Sequence, residues 1–207
     1  KINFYLLLFK MIAKEEVIEK VIALMKRKGA QVVRMNQLPF EAKINAKALK
    51  EHFKNKEEVF EACVNYVLQT HKTAADQIEE SALNPVVKVA KIYKVGLQEL
   101  FEYHPSFFFH LKKHYRNLHE RIEEYNAHLF QERIPNLLKK AQENGFILPF
   151  INLKLFSETQ LSKSRLLIEF IYPTFQGKTN ELNQVFLTNI RGILKKEYIH
   201  LIDEELT

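Results

Sequence analysis

The chain has 207 residues, 46% of them hydrophobic, which is enough for a substantial buried core and for one large or two small domains. Five glycines and six prolines are too few for a turn-rich sandwich or barrel, and the residue usage favours helix. The formal charge of +6 sits unevenly: residues 1–60 carry 13 Lys and Arg against 7 Asp and Glu, whereas residues 61–207 carry 18 of each. A basic first third on a neutral remainder is the charge footprint of a nucleic-acid-binding head, or of a merely solvated basic surface, and motif context has to decide between them. The single Cys63 excludes an internal disulfide and fits a reducing compartment; among Glu61, Ala62, Val64 and Val67 it reads as a buried, inert thiol on a helix.

In chain order, the apolar run Ile2–Phe9 is too short to cross a membrane and lacks a cleavage pattern. It is expected to be either an upstream extension ahead of Met11 or an extra helix. Val17, Ile18, Val21, Ile22, Leu24 and Met25 then recur at a helical period. Lys26, Arg27 and Lys28 fall in the last turn, and Gly29 supplies the stop. A short second helix is expected over about 37–42. Pro39 is tolerated there if Asn36 is the N-cap, since a first-turn proline lacks only an N–H that has no helical partner anyway. After a turn at Lys43–Ile44, Asn45 caps a third helix running to about Phe53, with Ile44 and Leu49 as a hydrophobic staple. Asn55 and Glu58 form a capping-box-like start for a long helix from Lys56 to about Glu80.

Asn84-Pro85 opens the next helix, expected to reach Tyr103, and His104-Pro105 breaks the chain. A short aromatic-rich helix over 106–117 is followed by one over 118–143 that Pro135 should break or kink, ending at Asn144-Gly145. Helices over 150–172 and 180–200 complete the chain. No strand periodicity competes. The expected fold is therefore all-α, with a three-helix head over residues 1–56 and a helical body over 57–207.

The order of helix, Gly29, short helix, turn, third helix, Leu49-x-x-His52-Phe53-x-Asn55-Lys56-Glu57-Glu58-Val59 resembles the N-terminal domain of the TetR (tetracycline-repressor-like) family. Looser likenesses are Gly145-Phe146-Ile147 and Asn189-Ile190-Arg191-Gly192-Ile193 in the body. The resemblance implies a helix-turn-helix head that reads duplex DNA and a C-terminal bundle that dimerises and binds a small-molecule effector. It departs at Lys43, where the family has a turn glycine; at Ala48 in place of Thr or Ser; and at Lys50 in place of Tyr. A lysine at positive φ would be strained by roughly 1–2 kcal/mol, unless the turn takes another shape.

With Leu49 and Phe53 packed inward, Lys47 and Lys50 project outward on the helix that would enter the major groove. Asn45 and His52 suit phosphates, Lys54 and Lys56 would flank the backbone, and Arg34 could join from the second helix. In the body, Phe107, Phe108, His110, Tyr115, Tyr125, Phe170 and Tyr172 are candidate lining residues for an effector pocket. Leu161, Leu166, Leu167, Phe170, Leu182, Val185, Phe186, Asn189 and Ile193 are candidates for a two-fold helical interface. His110 and His114 have the i, i+4 spacing of a metal pair, but Lys112 and Lys113 lie between them and no metal is expected. No phosphate loop, cysteine cluster or nucleophile motif is present, so neither enzyme activity nor a cofactor is expected. The expected protein is a cytoplasmic, homodimeric, ligand-responsive transcriptional regulator, most simply a repressor, whose partners are an operator duplex and an effector and which does not engage a membrane. The alternative is a protein of the same architecture that has lost specific DNA binding.

Overall fold

A computed structural model describes residues 2–104, 106–167 and 179–206. Eleven helices follow in order among these residues: α1 (Ile2–Lys28), α2 (Leu38–Glu41), α3 (Ala46–His52), α4 (Lys56–Glu80), α5 (Pro85–Glu102), α6 (Ser106–His114), α7 (Arg116–His128), α8 (Ile134–Glu143), α9 (Leu153–Leu166), α10 (Thr179–Ile193) and α11 (His200–Leu206). A 3₁₀ turn, Ala30–Val32, follows α1, and a π-turn, Leu129–Arg133, joins α7 to α8. The architecture is all-α, as the composition requires. None of the helices is long and apolar enough to cross a membrane, among the described residues.

The chain forms two compact units. The first takes residues 1–69 and 102–120, the second residues 70–101 and 121–207. In the first, α1 buries Val17, Ile18, Val21, Ile22, Leu24 and Met25, the stripe that its period predicts. It packs on α3, which contributes Leu49, with Phe53 just beyond; α4 adds Val59, Phe60, Cys63 and Val64, and α6 adds Phe107 and Leu111. Gly29 ends α1 at φ 82°, and a Cβ there would collide with the Ser106 hydroxyl, so both the backbone and the close approach require glycine. Ser106 Oγ donates to Gln31 Oε1 at 2.8 Å, and Lys26 reaches both Glu102 (2.6 Å) and the Tyr103 ring face (5.1 Å).

The second unit is built on one apolar cluster that includes Val86, Val89, Ala90, Tyr93, Leu97, Phe130, Ile134, Leu138, Leu161, Phe186, Leu187, Ile190 and Ile202. Tyr93 stacks on Phe130 (5.5 Å) and meets Phe186 edge-on (5.6 Å). Its hydroxyl is buried without a hydrogen-bond partner among the described residues. Beside this core, Arg133 bonds Asp76 (2.6 Å) and Glu79 (2.7 Å), and His71 Nδ1 shares a 2.6 Å hydrogen bond with the Tyr125 hydroxyl.

Three expectations about elements need correction, and a fourth takes a definite form. The first ten residues do not form a separate helix: Ile2 onward is continuous with α1, because no Pro or Gly interrupts the run. The second helix starts one residue later than expected, with Gln37 rather than Asn36 as its N-cap and no side-chain cap bond. The break expected at Pro135 is present, as a π-turn over Leu129–Arg133 between α7 and α8. A proline at the start of α8 donates nothing to the preceding turn, and the wider π-turn rearranges the bonding there. The last helix stops at Ile193 because the chain leaves it to pair with the segment after α8. Leu148 N–H donates to Ile193 C=O (3.0 Å) and Lys195 N–H to Phe146 C=O (3.0 Å), forming an isolated antiparallel bridge between Ile147 and Leu194. Phe170 and Tyr172 lie outside the described residues.

Candidate nucleic-acid interface

The head is assembled from α1, α2 and α3. Pro39 lies in the first turn of α2, where its missing N–H breaks no internal bond. Behind it, Ile44 N–H donates to Pro39 C=O (3.0 Å) and Lys43 N–H to Phe40 C=O (3.3 Å). These are the two bonds of a Schellman closure, which places the intervening residue in the left-handed region. That residue is Lys43, at φ 54°, the one non-glycine residue with positive φ among the described residues. The turn thus keeps the shape that a glycine would give it, and the lysine carries the strain.

Asn45 then starts α3. Its Oδ1 accepts from the backbone N–H of Lys47 (2.8 Å) and of Ala48 (3.4 Å), and Ile44 and Leu49 on either side are buried. Glu58 N–H donates to Asn55 Oδ1 (2.9 Å) at the start of α4, while the Glu58 carboxylate accepts from Lys54 N–H (2.9 Å), one residue earlier than the reciprocal bond of a capping box. These caps fix α3 and the start of α4 to each other through three residues.

With Leu49 and Phe53 turned into the core, Lys47 and Lys50 are exposed on the opposite face of α3. Lys47 makes only a loose 3.9 Å pair with Glu51, and its side chain is 85% exposed. Such a pair is worth little and releases easily to a phosphate or base edge. Arg34, Asn45, Lys54 and Lys56 are also exposed, and His52 is half-buried with its ring edge toward Phe53 (6.3 Å). All seven therefore lie in one compact unit, six of them exposed. Sequence reasoning missed Phe40 on α2, which is 87% exposed. No periodicity flags it, because α2 is a single turn.

The expected effector-lining residues fall in both units. Phe107, Phe108, His110 and Tyr115 lie in the first unit, and Tyr125 in the second. Phe107 stacks on Tyr103 (4.3 Å), and Phe60 of α4 packs against Tyr115 (4.3 Å) and His110 (5.8 Å). Tyr125 is tied to His71, whose pKa is lowered by burial and by the nearby Arg133 cation. Of the candidate interface residues, Leu161, Leu167, Phe186 and Ile193 are buried inside their own chain. Asn189 is half-buried and donates to Val185 C=O (2.8 Å). Leu166 and Val185 are exposed, and so are Phe150 and Leu155, which the sequence did not single out. Leu182 lies on α10, but its side chain is outside the described set. Among the described residues, no group of three His, Cys, Asp or Glu side chains could hold a metal ion.

No family profile matches the sequence, and no curated protein matches it. Solved structures do. The TetR-family transcriptional regulator PfmR from Thermus thermophilus superposes with a TM-score of 0.62 at 16% identity, over 87% of this chain and 99% of that one. KstR2 of Mycobacterium tuberculosis, a ketosteroid transcriptional regulator, gives 0.60 at 18% identity, over 88% and 95%. The TetR-family protein CprB from S. coelicolor A3(2) gives 0.61 at 13%, over 95% and 98%. The chain has, over nearly its full length, the fold of the TetR-family transcriptional regulators.

Proposed function

We propose that this chain is a DNA-binding transcriptional regulator that works as a homodimer and releases its operator when a small molecule binds. Residues 1–56 read the DNA, and residues 57–207 carry dimerisation and the effector response. The observation that carries the reading is the exposed lysine face of α3, held by a Schellman turn and an asparagine cap in a two-helix geometry suited to the major groove. Lys47 and Lys50 supply base-edge or phosphate contacts, and Arg34, Asn45, His52, Lys54 and Lys56 position the backbone.

The exposed apolar residues Leu155, Leu166 and Val185 of α9 and α10 support a two-fold helical interface. An effector is supported by the fold's other bearers, among them a ketosteroid transcriptional regulator and a γ-butyrolactone receptor. It would act by binding two arrangements of the heads with unequal affinity, since equal binding shifts no population. Loss of DNA recognition is the competing reading, motivated by Lys43, Ala48 and Lys50. The intact turn around Lys43 weighs against it.

Titration of the full chain against the DNA flanking its own gene tests the proposal. Tight, salt-sensitive binding is expected, and Lys47→Ala with Lys50→Ala should weaken it by roughly 10-fold or more, on the order of 1–3 kcal/mol per lost base contact. Absence of binding at low salt, with no effect of either exchange, would sink it.

A further inference from the structure

The α3 face does not account for all the positive charge gathered in the first unit. Lys56 opens α4, and Phe60 follows one turn later on the same side of the helix. His110 of α6 lies against Phe60, and the His114 ring is 4.7 Å from the His110 ring. Lys113 and His114 are exposed at the C-terminal end of α6. The His110 ring feels these neighbours: burial, then His114, Lys56 and Lys113, hold its pKa below the ordinary value. Glu57 is the acidic neighbour here, and its field reaches Tyr115.

Lys56, His110, Lys113 and His114 thus converge from two helices of one unit. Among the described residues, none of the four has a carboxylate within 4 Å. Neither histidine ring makes a hydrogen bond there. Two lysine cations with no close ion pair, beside two imidazoles free to hydrogen-bond, are a group that suits an anion. Only three residues separate Lys56 from His52, at the end of the DNA-reading helix.

We propose that Lys56, His110, Lys113 and His114 form a phosphate site that extends the DNA footprint from α3 onto the end of α6. The inference rests on the DNA-binding reading above. Its ligand is the duplex backbone, so it adds affinity and salt dependence without adding sequence preference.

The test is a salt series with the full chain on two duplexes of equal length, one from the DNA flanking its own gene and one of random sequence. Lys113→Gln with His114→Gln should weaken both duplexes by the same factor and lower the log–log salt slope by about 0.9, for the one cation removed. The preference for one duplex over the other should stay as in the wild type. Both side chains are exposed, so the fold should persist; should the double exchange lower the melting temperature, Lys113→Gln alone is expected to lower the slope by about 0.9. An unchanged slope in the α6 variants, while Lys47→Ala and Lys50→Ala lose binding, overturns this site and leaves the DNA-binding reading standing. Failure of the wild type to bind either duplex at low salt overturns both.

Discussion

Replacing Lys43 by glycine should make this protein more stable. Lys43 sits at φ 54° inside a turn closed by two bonds, Ile44 N–H to Pro39 C=O and Lys43 N–H to Phe40 C=O, that go with a left-handed residue at this position. A residue with a Cβ in that region costs roughly 1–2 kcal/mol relative to its preferred conformation. Glycine removes this cost and introduces one of its own, a larger loss of backbone freedom on folding of about 0.5–1 kcal/mol. The difference favours glycine by about 0.5–1 kcal/mol. The lysine side chain is exposed and has no ion pair within 4 Å among the described residues, so little else is lost. For a chain of this size the gain corresponds to a melting midpoint about 1–4 °C higher. Lys43→Asn should recover part of the gain, and Lys43→Val, β-branched, should lower the midpoint. Thermal melts followed by circular dichroism read all three. A Lys43→Gly midpoint at or below the wild type, or a harmless Lys43→Val, would refute the claim that the turn is strained.

Asn45→Ala should cost about 1 kcal/mol of stability, read by urea denaturation, because Oδ1 caps two backbone N–H groups of α3. Cys63, 2% exposed with its thiol pushed up to about 12 by burial, should resist a thiol reagent at neutral pH in the folded protein and react once urea unfolds it. His71 is held below its ordinary 6.5, so the folded state favours the neutral ring and unfolding takes up a proton. The stability it confers is complete above about pH 6.5 and falls as the pH drops from there toward the folded value; His71→Gln should flatten that part of the stability profile, and an unaltered profile would show that the ring is not so held.

The elements most readable from sequence were those whose ends are set by local chemistry. Asn45 and Asn55 cap the helices that follow them, Pro85 starts α5, and Asn144-Gly145 ends α8, each through bonds to neighbours a few residues away. The stripe from Val17 to Met25 is buried as its period requires. What escaped the sequence depends on distant partners. The end of α10 is fixed by backbone bonds to residues nearly fifty positions earlier, which no local pattern encodes. Whether Leu161 and Phe186 face their own core or another chain is likewise a question of packing, since both fit the same apolar period. The lysines of α3 were legible as a face because helical spacing fixes their side. The cluster on α6 was not, because it needs Lys56 and His110 to be brought together from positions 54 apart.

The bridge between Ile147 and Leu194 bears on how freely the chain can vary. Its two backbone bonds tie off the stretch from 149 to 192 at the base, so α9 and α10 leave and rejoin the rest of the second unit at one fixed place. Lengthening a closed excursion of that size by about ten residues adds only about 0.2 kcal/mol of closure entropy. The proposed two-fold surface, with Leu155, Leu166 and Val185, lies on this excursion. Its length and partner-facing residues can therefore be redrawn while the anchoring bonds, and the apolar cluster behind them, stay where they are.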